Sequence, residues 1–307
     1  MKNIRKQVSI MNTNESTNSL GLARAKLILA MTIFGTIGIF VKYIPLPSSV
    51  IACARGFVGV LFLLLVTLLR KSKISFKDIK RNLLLLVISG AFIGINWILL
   101  FEAYRYTTVA TATLCYYMAP IFMTIASPFV LKEKLTLKKG LCVLVALIGM
   151  VFVSGIVGTS DLHISVPGIL CGLGAALFYA CVILLNKHLK DISAYDMTMT
   201  QLFMASLVIL PYTLLTSDVS FSVLDTKGLI CLLIVCVVHT GFAYTVYFSS
   251  VGSLKAQTVA IFSYIDPVIA IILSALLLKE EMGVFGIIGA ILILGSTLFS
   301  ELNFKKK

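Results

Sequence analysis

The chain has 307 residues, of which 59% are hydrophobic and 13% charged, with a mean hydropathy of +1.03 and a net charge of +13. Soluble domains carry roughly 25% charged residues, so this composition excludes an ordinary soluble fold and predicts an all-α membrane protein. The basic residues lie almost entirely between apolar runs, which predicts topology signals and contacts with lipid head groups, and excludes nucleic acid as a partner.

In chain order, a polar segment over 1–22 is predicted to be a disordered cytoplasmic tail, and 302–307 a basic cytoplasmic tail. Between them, apolar stretches are long enough to cross about 30 Å of hydrocarbon as helices. The predicted transmembrane helices cover 25–44, 48–69, 82–103, 107–131, 138–155, 167–187, 196–216, 228–249, 254–278 and 283–301.

The distribution of Lys and Arg predicts the orientation of these ten helices. With the N-terminus inside, 21 of the 26 basic residues fall in inner segments and four in outer segments. Cytoplasmic loops carry such an excess, so both termini are expected on the cytoplasmic side of the cell membrane.

The two halves of the chain resemble each other. Aligned without gaps, 106–133 and 253–280 share eight of 28 residues, including Tyr117 with Tyr264, Pro120 with Pro267, and a terminal Leu-Lys-Glu. With five spans in each half, the second half enters the membrane in the opposite sense. We therefore expect two inverted five-helix repeats, over 23–155 and 167–301, which is typical of secondary transporters.

These residues resemble the EamA-type ten-helix family of the drug/metabolite transporter superfamily. The second half has Pro267, Glu280 and the segment Gly289-Ala-Ile-Leu-Ile-Leu-Gly295. The first half has Pro120, Glu133 and Gly149, with Val143 in place of one family glycine, and Arg55 matches an arginine common in the second span. In both halves Lys stands where the family often has Gly before Glu.

The resemblance implies proton-coupled or facilitated transport of small metabolites, often amino acids or related compounds, and commonly as efflux. The expected partners are a small-molecule substrate, membrane lipids and protons, as a monomer or a homodimer. We expect no enzyme activity, no cofactor and no metal, since the three histidines are scattered and the cysteines form no CxxC pair. Two alternatives stay open: an intramembrane enzyme using His239 and Asp266, and a small-drug exporter.

Residues predicted to bind substrate combine one buried charge with an aromatic wall. Arg55 lies about two turns inside its span, where a guanidinium could hold a substrate carboxylate, although a structural ion pair explains it equally well. The aromatic candidates on other spans are Trp97, Tyr116, Tyr117, Tyr244 and Tyr264.

Asp266 and His239 are predicted ion-coupling residues, because each lies near the midplane of its span. A carboxyl group there can exchange a proton for a substrate amine. The alternative is an Asp hydrogen-bonded to backbone and an ordinary packed imidazole. Pro120 and Pro267 occur at matching mid-span positions, where we predict kinks in substrate-facing helices.

Overall fold

A computed structural model describes residues 2–130, 132, 136–153, 165–217, 223–251, 253–254 and 256–301. Within these ranges the chain is helical, with short connections and no strand. The helices are α1 (Lys2–Lys42), α2 (Ser48–Leu69), α3 (Phe76–Arg81), α4 (Leu83–Tyr106), α5 (Val109–Tyr116), α6 (Ala119–Val130), α7 (Leu137–Val153), α8 (Val166–Asn186), α9 (Ala194–Thr216), α10 (Thr226–Leu233), a π-helix (Ile234–Phe242), α11 (Ala243–Val251), α12 (Ala256–Ser263), α13 (Ile265–Leu277) and α14 (Val284–Glu301).

Among the described residues, seven helical segments are long and apolar enough to cross a bilayer. They are Leu20–Lys42, Ser48–Leu69, Leu83–Tyr106, Val109–Val130, Val166–Asn186, Ala194–Thr216 and Thr226–Val251. The chain is therefore a multi-pass membrane protein, as its composition predicts. The predicted spans 138–155, 254–278 and 283–301 correspond to shorter helices, namely α7, the pair α12 and α13, and α14.

The first helix differs from its predicted form. The sequence predicts disorder over 1–22, whereas α1 is helical from Lys2 and continues without a break to Lys42. Extending an existing helix avoids the cost of nucleation, so polar residues before an apolar span can join its helix at little expense. The apolar part begins near Leu20, close to the predicted start of the first span.

Side-chain caps define where several helices begin. Thr108 accepts a hydrogen bond from the backbone N–H of Thr111 at the start of α5, and Asp225 does the same for Gly228 at the start of α10. Capping satisfies backbone donors that have no partner inside the helix. These caps allow sharp turns between neighbouring spans at the bundle ends.

The helices pack as a bundle in which α1 contacts α11 and α13, and α8 contacts α4, α5 and α6. Helix α2 packs against α9 and the π-helix, and α4 also packs against α9. Helices α7 and α14 form a pair in which Gly149 and Gly289 face each other. A Cβ atom on Gly289 would meet the Gly149 carbonyl oxygen at 2.5 Å, so glycine permits this close approach.

Two spans are interrupted in the middle. Helix α5 ends four residues before Pro120, and α12 ends four residues before Pro267. A proline ring clashes with the carbonyl four residues earlier and cannot donate to it, which accounts for the position of both breaks. Each proline therefore removes one backbone hydrogen bond from its span.

Candidate functional site

Arg55 lies inside the bundle with 5% of its surface exposed. Its Nε donates a hydrogen bond to Thr240 Oγ1 at 2.8 Å. The guanidinium carbon lies 4.1 Å from the centre of the Trp97 ring and 5.7 Å from that of Phe101. Stacking on an aromatic face stabilises a desolvated cation and fixes the plane of its donors.

Close helix packing brings Arg55 to Thr240. Gly59 lies one turn further along α2, and a Cβ atom there would meet Thr240 Cγ2 at 2.6 Å. Thr240 lies in the π-helix, where its hydroxyl donates to the Val235 carbonyl at 3.1 Å and keeps lone pairs for Arg55 Nε. Single π-helical turns occur frequently at functional sites.

In the described part of the chain, no acidic side chain forms an ion pair with Arg55. Glu102, which could have paired with it across helices, lies 3.8 Å from Arg105 on its own helix. Burying a charge without a partner is costly and is retained where it has a role. The guanidinium is thus held in place by Thr240 and Trp97 without being neutralised by them.

His239 is fully buried and is bound by two groups. Its Nδ1 lies 3.2 Å from the Ile234 carbonyl oxygen, and its Nε2 lies 2.7 Å from Thr36 Oγ1 on α1. The Thr36 hydroxyl is also 2.8 Å from the Ile33 carbonyl oxygen. A neutral imidazole accepts from Thr36, and a protonated one donates to it while Thr36 turns to Ile33. Both protonation states therefore have complete hydrogen bonding.

Asp266 lies in the first turn of α13, beside the break that precedes Pro267. Its carboxyl group lies near the Tyr117 hydroxyl. The same hydroxyl donates to the Ser263 carbonyl at 3.0 Å. On the other side of Asp266, Gly35 lets α1 approach α13 closely. A Cβ atom at Gly35 would meet the backbone carbonyl oxygen of Asp266 at 2.5 Å.

The structure brings three of the four predicted tyrosines, Tyr116, Tyr117 and Tyr264, into a cluster of rings. Tyr116 lies 5.3 Å from Tyr179 between ring centres, and Tyr117 lies 6.2 Å from both Tyr116 and Tyr264. Tyr244 contacts other rings, those of Phe34 and Phe248, at 5.4 and 6.0 Å between ring centres. Tyr116, Tyr117, Tyr244 and Tyr264 are half-buried, and Tyr179 is exposed.

The EamA-like transporter family matches this sequence twice, over residues 23–155 and 166–302. The chain belongs to the EamA-like transporter family. It is 28% identical over 279 residues to the uncharacterized transporter YxxF of Bacillus subtilis, covering 91% of this chain and 89% of that protein. It is 27% identical over 197 residues to a protein of Salmonella typhimurium named "Probable amino-acid metabolite efflux pump", covering 61% and 66%.

A solved crystal structure shares the fold, with a TM-score of 0.63 at 17% identity, covering 91% of this chain and 96% of that one. Membership of the EamA-like family and the names of its relatives indicate a transporter and not an enzyme. In this EamA-like chain, the part that the structure describes holds no group of three His, Cys, Asp or Glu side chains able to bind a metal ion.

The predicted site residues fall into two groups in this EamA-like transporter. Arg55 and Trp97 are in direct contact, and the tyrosines and Asp266 form the second group. His239 and Asp266 are bound by different partners, and α1 contacts both through the adjacent residues Thr36 and Gly35.

Sequence reasoning missed several residues of the site. Thr240 fixes Arg55, Thr36 binds His239, and Tyr179 extends the ring cluster. Tyr104 is buried and stacks on Phe101, whose ring also lies beside Arg55. A tyrosine in a predicted span was an available signal for Tyr104 and Tyr179. The two threonines carry none, because threonine is common in membrane helices.

Proposed function

We propose that this EamA-like protein is a secondary transporter of small zwitterionic metabolites, amino acids or related compounds, and that it works as an exporter. A zwitterion carries a carboxylate and an amine, and the candidate site offers one group of each opposite charge. Arg55 would bind the carboxylate and Asp266 the amine or a proton. The facing tyrosines would line the space between them.

The observation that carries this proposal is the buried guanidinium of Arg55. Thr240 occupies its Nε, and its plane is fixed on Trp97, so the terminal nitrogens are available as a fork of donors. A carboxylate bound by two parallel hydrogen bonds fits that fork and supplies the missing charge. A substrate carboxylate that binds there would neutralise the buried charge of Arg55. The empty and substrate-bound states of the transporter would then differ in the charge of its interior.

The ring cluster favours a substrate with an apolar part. Tyr116, Tyr117, Tyr244 and Tyr264 offer ring faces and hydroxyl groups, a combination suited to small amphipathic molecules. His239 is hydrogen-bonded to Thr36 on α1. It is a second candidate for coupling.

We further propose ten membrane crossings arranged as two inverted repeats. The helix contacts of the two halves support this arrangement. The contact of α1 with α13 corresponds to that of α8 with α6, and the contact of α1 with α11 corresponds to that of α8 with α4. The contact of α2 with the π-helix is matched by that of α9 with α4. Two occurrences of one family in the chain support the same division.

Details at matching positions also support a repeat. Lys132 and Lys279 precede the glutamates that follow the two broken spans, and both have left-handed backbones, with φ of 55° and 53°. Glycine tolerates this conformation best, which explains why related sequences often have glycine there. We place both termini in the cytoplasm of the cell, on the distribution of Lys and Arg.

An intramembrane enzyme using His239 and Asp266 is a weaker explanation of the same residues. A catalytic pair requires the two groups within hydrogen-bonding distance of each other or of one reacting atom. Here the imidazole is bound by Thr36 and Ile234, and the carboxyl group lies beside Tyr117.

Transport in proteoliposomes tests the proposal. The purified full-length chain would be assayed for counterflow of labelled amino acids and related metabolites, with and without a pH gradient. Exchange of a zwitterionic metabolite, lost in Arg55→Gln and kept in Arg105→Gln, is expected. Transport of hydrophobic cations alone, unaffected by Arg55→Gln, would instead support a small-drug exporter and overturn the proposal.

A further inference from the structure

We propose that the connection between α2 and α4 is a binding surface for the head groups of anionic phospholipids, formed by four lysines and one aromatic ring. The spans on either side of it, Ser48–Leu69 and Leu83–Tyr106, are long and apolar enough to cross the bilayer. The connection over 70–82 is short and contains α3, so it lies at the surface of the membrane.

The charge of this connection is strongly positive. Six of its residues are basic and one is acidic. The basic residues are Arg70, Lys71, Lys73, Lys77, Lys80 and Arg81. By contrast, the connection over 217–225, which joins α9 to α10, has two aspartates and no basic residue. A cluster of four to eight basic residues directly beside a membrane span is typical of segments that bind anionic lipids.

The two arginines of the connection bind the protein itself. Arg70 Nη1 donates to the Tyr195 hydroxyl at 3.1 Å. Arg81 Nη2 lies 3.3 Å from Asp78 and 3.2 Å from Asp191, so the acidic residue of the connection already has a partner. In the part of the chain that the structure describes, no ion pair involves any of the four lysines, and all four are exposed. Their ammonium groups can therefore bind an anion from outside the protein.

The exposed face of α3 combines these charges with an aromatic ring. Phe76 and Lys80 are four residues apart, as are Lys77 and Arg81, so the four side chains share one face of the helix. All four are exposed, and Phe76 is 75% exposed. Helices that lie in a membrane interface place aromatic rings at the boundary of the hydrocarbon and basic groups beside the phosphates. The face of α3 has this composition.

Contacts with the second half of the chain hold α3 in place. Asn82 follows α3, and its Nδ2 donates to the Lys190 carbonyl at 2.9 Å. The backbone N–H of Lys190 donates in return to Asn82 Oδ1 at 2.9 Å. At the other end of α3, the backbone N–H of Ser75 donates to the Asp196 carboxylate at 3.4 Å. Because both ends are fixed to the segment around the start of α9, binding of a head group requires little further ordering of the backbone.

Apolar neighbours of the lysines favour a lipid over a soluble anion. Leu69 ends α2 and is 74% exposed, and Leu84 lies at the start of α4 and is 72% exposed. Together with Phe76 they flank the basic residues on both sides. A phospholipid presents phosphate and hydrocarbon at adjacent levels and can contact both kinds of side chain, whereas a free phosphate contacts only the lysines.

The test compares nanodiscs of phosphatidylcholine with nanodiscs that also contain phosphatidylglycerol of the same acyl chains, each holding the full-length protein. Hydrogen exchange over 70–82 reports the connection itself and should slow about threefold in the anionic nanodiscs. Native mass spectrometry of the solubilised protein, titrated with phosphatidylglycerol, reports the affinity. In the variant that combines Lys73→Gln, Lys77→Gln and Lys80→Gln, the affinity should fall at least about tenfold, and exchange should no longer respond to the lipid.

The matched control combines Lys305→Gln, Lys306→Gln and Lys307→Gln, which removes the same charge elsewhere and should keep both wild-type responses. A variant with Lys73→Arg, Lys77→Arg and Lys80→Arg keeps the charge and should also bind, which separates loss of the surface from misfolding. Equal loss in the two glutamine variants would overturn the inference, because net charge alone would then explain binding. Equal slowing of exchange by inorganic phosphate in phosphatidylcholine nanodiscs would overturn it in favour of a soluble anion, and so would a wild type that does not distinguish the two lipids.

Discussion

The ammonium group of Lys42 lies 3.1 Å from Glu280 Oε1, while Glu280 Oε2 accepts a hydrogen bond from the backbone N–H of Val109 at 2.8 Å. Ser274 Oγ donates to the same Oε2, and Lys42 also donates to the Thr107 carbonyl at 3.0 Å. One carboxylate thus connects the end of α1, the start of α5 and the end of α13.

We expect Glu280→Gln to destabilise this end of the bundle. The change removes the ion pair and the negative charge at the N-terminus of α5, and charge-assisted hydrogen bonds of this kind contribute about 1–2 kcal/mol. A thermal shift of a few degrees in detergent would show it. Glu281 is the matched control, because it is adjacent and exposed. Equal melting temperatures for Glu280→Gln and Glu281→Gln would contradict a structural role for Glu280.

The pair of helices α7 and α14 gives a prediction about glycine packing. In Gly289→Ala the new methyl group would meet the Gly149 carbonyl oxygen and the Val153 backbone, so we expect a loss of roughly 1–3 kcal/mol from overpacking. Gly295 lies on the same helix with open space around its Cβ position, and Gly295→Ala should be tolerated. Thermal denaturation compares the two, and equal stability would show that this contact is not tight.

The sequence predicts the helices well where the membrane dictates them. The predicted span 48–69 is observed as Ser48–Leu69, because an apolar stretch in lipid must satisfy its own backbone hydrogen bonds. It also predicts the two prolines as sites of disruption, since their effect on a helix is local. It does not indicate which glycines meet, and in the structure Gly149 packs against Gly289.

The contacts of the site depend on how each helix is rotated about its own axis, and the hydrophobic pattern of the sequence does not determine that rotation. Arg55 and Thr240 are 185 residues apart, and their hydrogen bond requires both the close approach at Gly59 and the wider turn of the π-helix. Neither leaves a local pattern in the sequence. His239 and Asp266 are predicted at similar depths, but depth does not determine the face of a helix on which a side chain lies.

Topology gives a third prediction. A reporter fused after Lys307 should be active on the cytoplasmic side, because 21 basic residues fall in the predicted inner segments and four in the outer ones. A pair of reporters, one active in the cytoplasm and one outside it, measures this directly. Activity of the external reporter alone would contradict an even number of crossings with an inner N-terminus.

Substrate binding by Arg55 gives a fourth prediction. Arg55→Lys keeps the charge but loses the planar fork and its stacking on Trp97, so transport should fall at least about tenfold. Thr240→Val should raise the substrate KM more than it lowers the maximum rate, because it releases Nε without removing the guanidinium. Arg105, with an exposed side chain, serves as the control. Normal transport by Arg55→Lys would exclude bidentate binding.

Proton coupling through Asp266 gives the last prediction, tested with the Asp266→Asn variant. The amide keeps the shape of the side chain, but it cannot bind or release a proton. Accumulation driven by a pH gradient should therefore disappear, while exchange of substrate at equal pH continues, since exchange needs no net proton movement. The first half has Ala119 at the equivalent position, so this carboxyl group is not a duplicated packing feature. The His239→Gln variant, measured in the same assay, separates the two candidates. If Asp266 carries the proton, the His239→Gln variant should keep gradient-driven accumulation. Wild-type accumulation by Asp266→Asn, with loss of it in His239→Gln, would transfer the coupling role to the histidine.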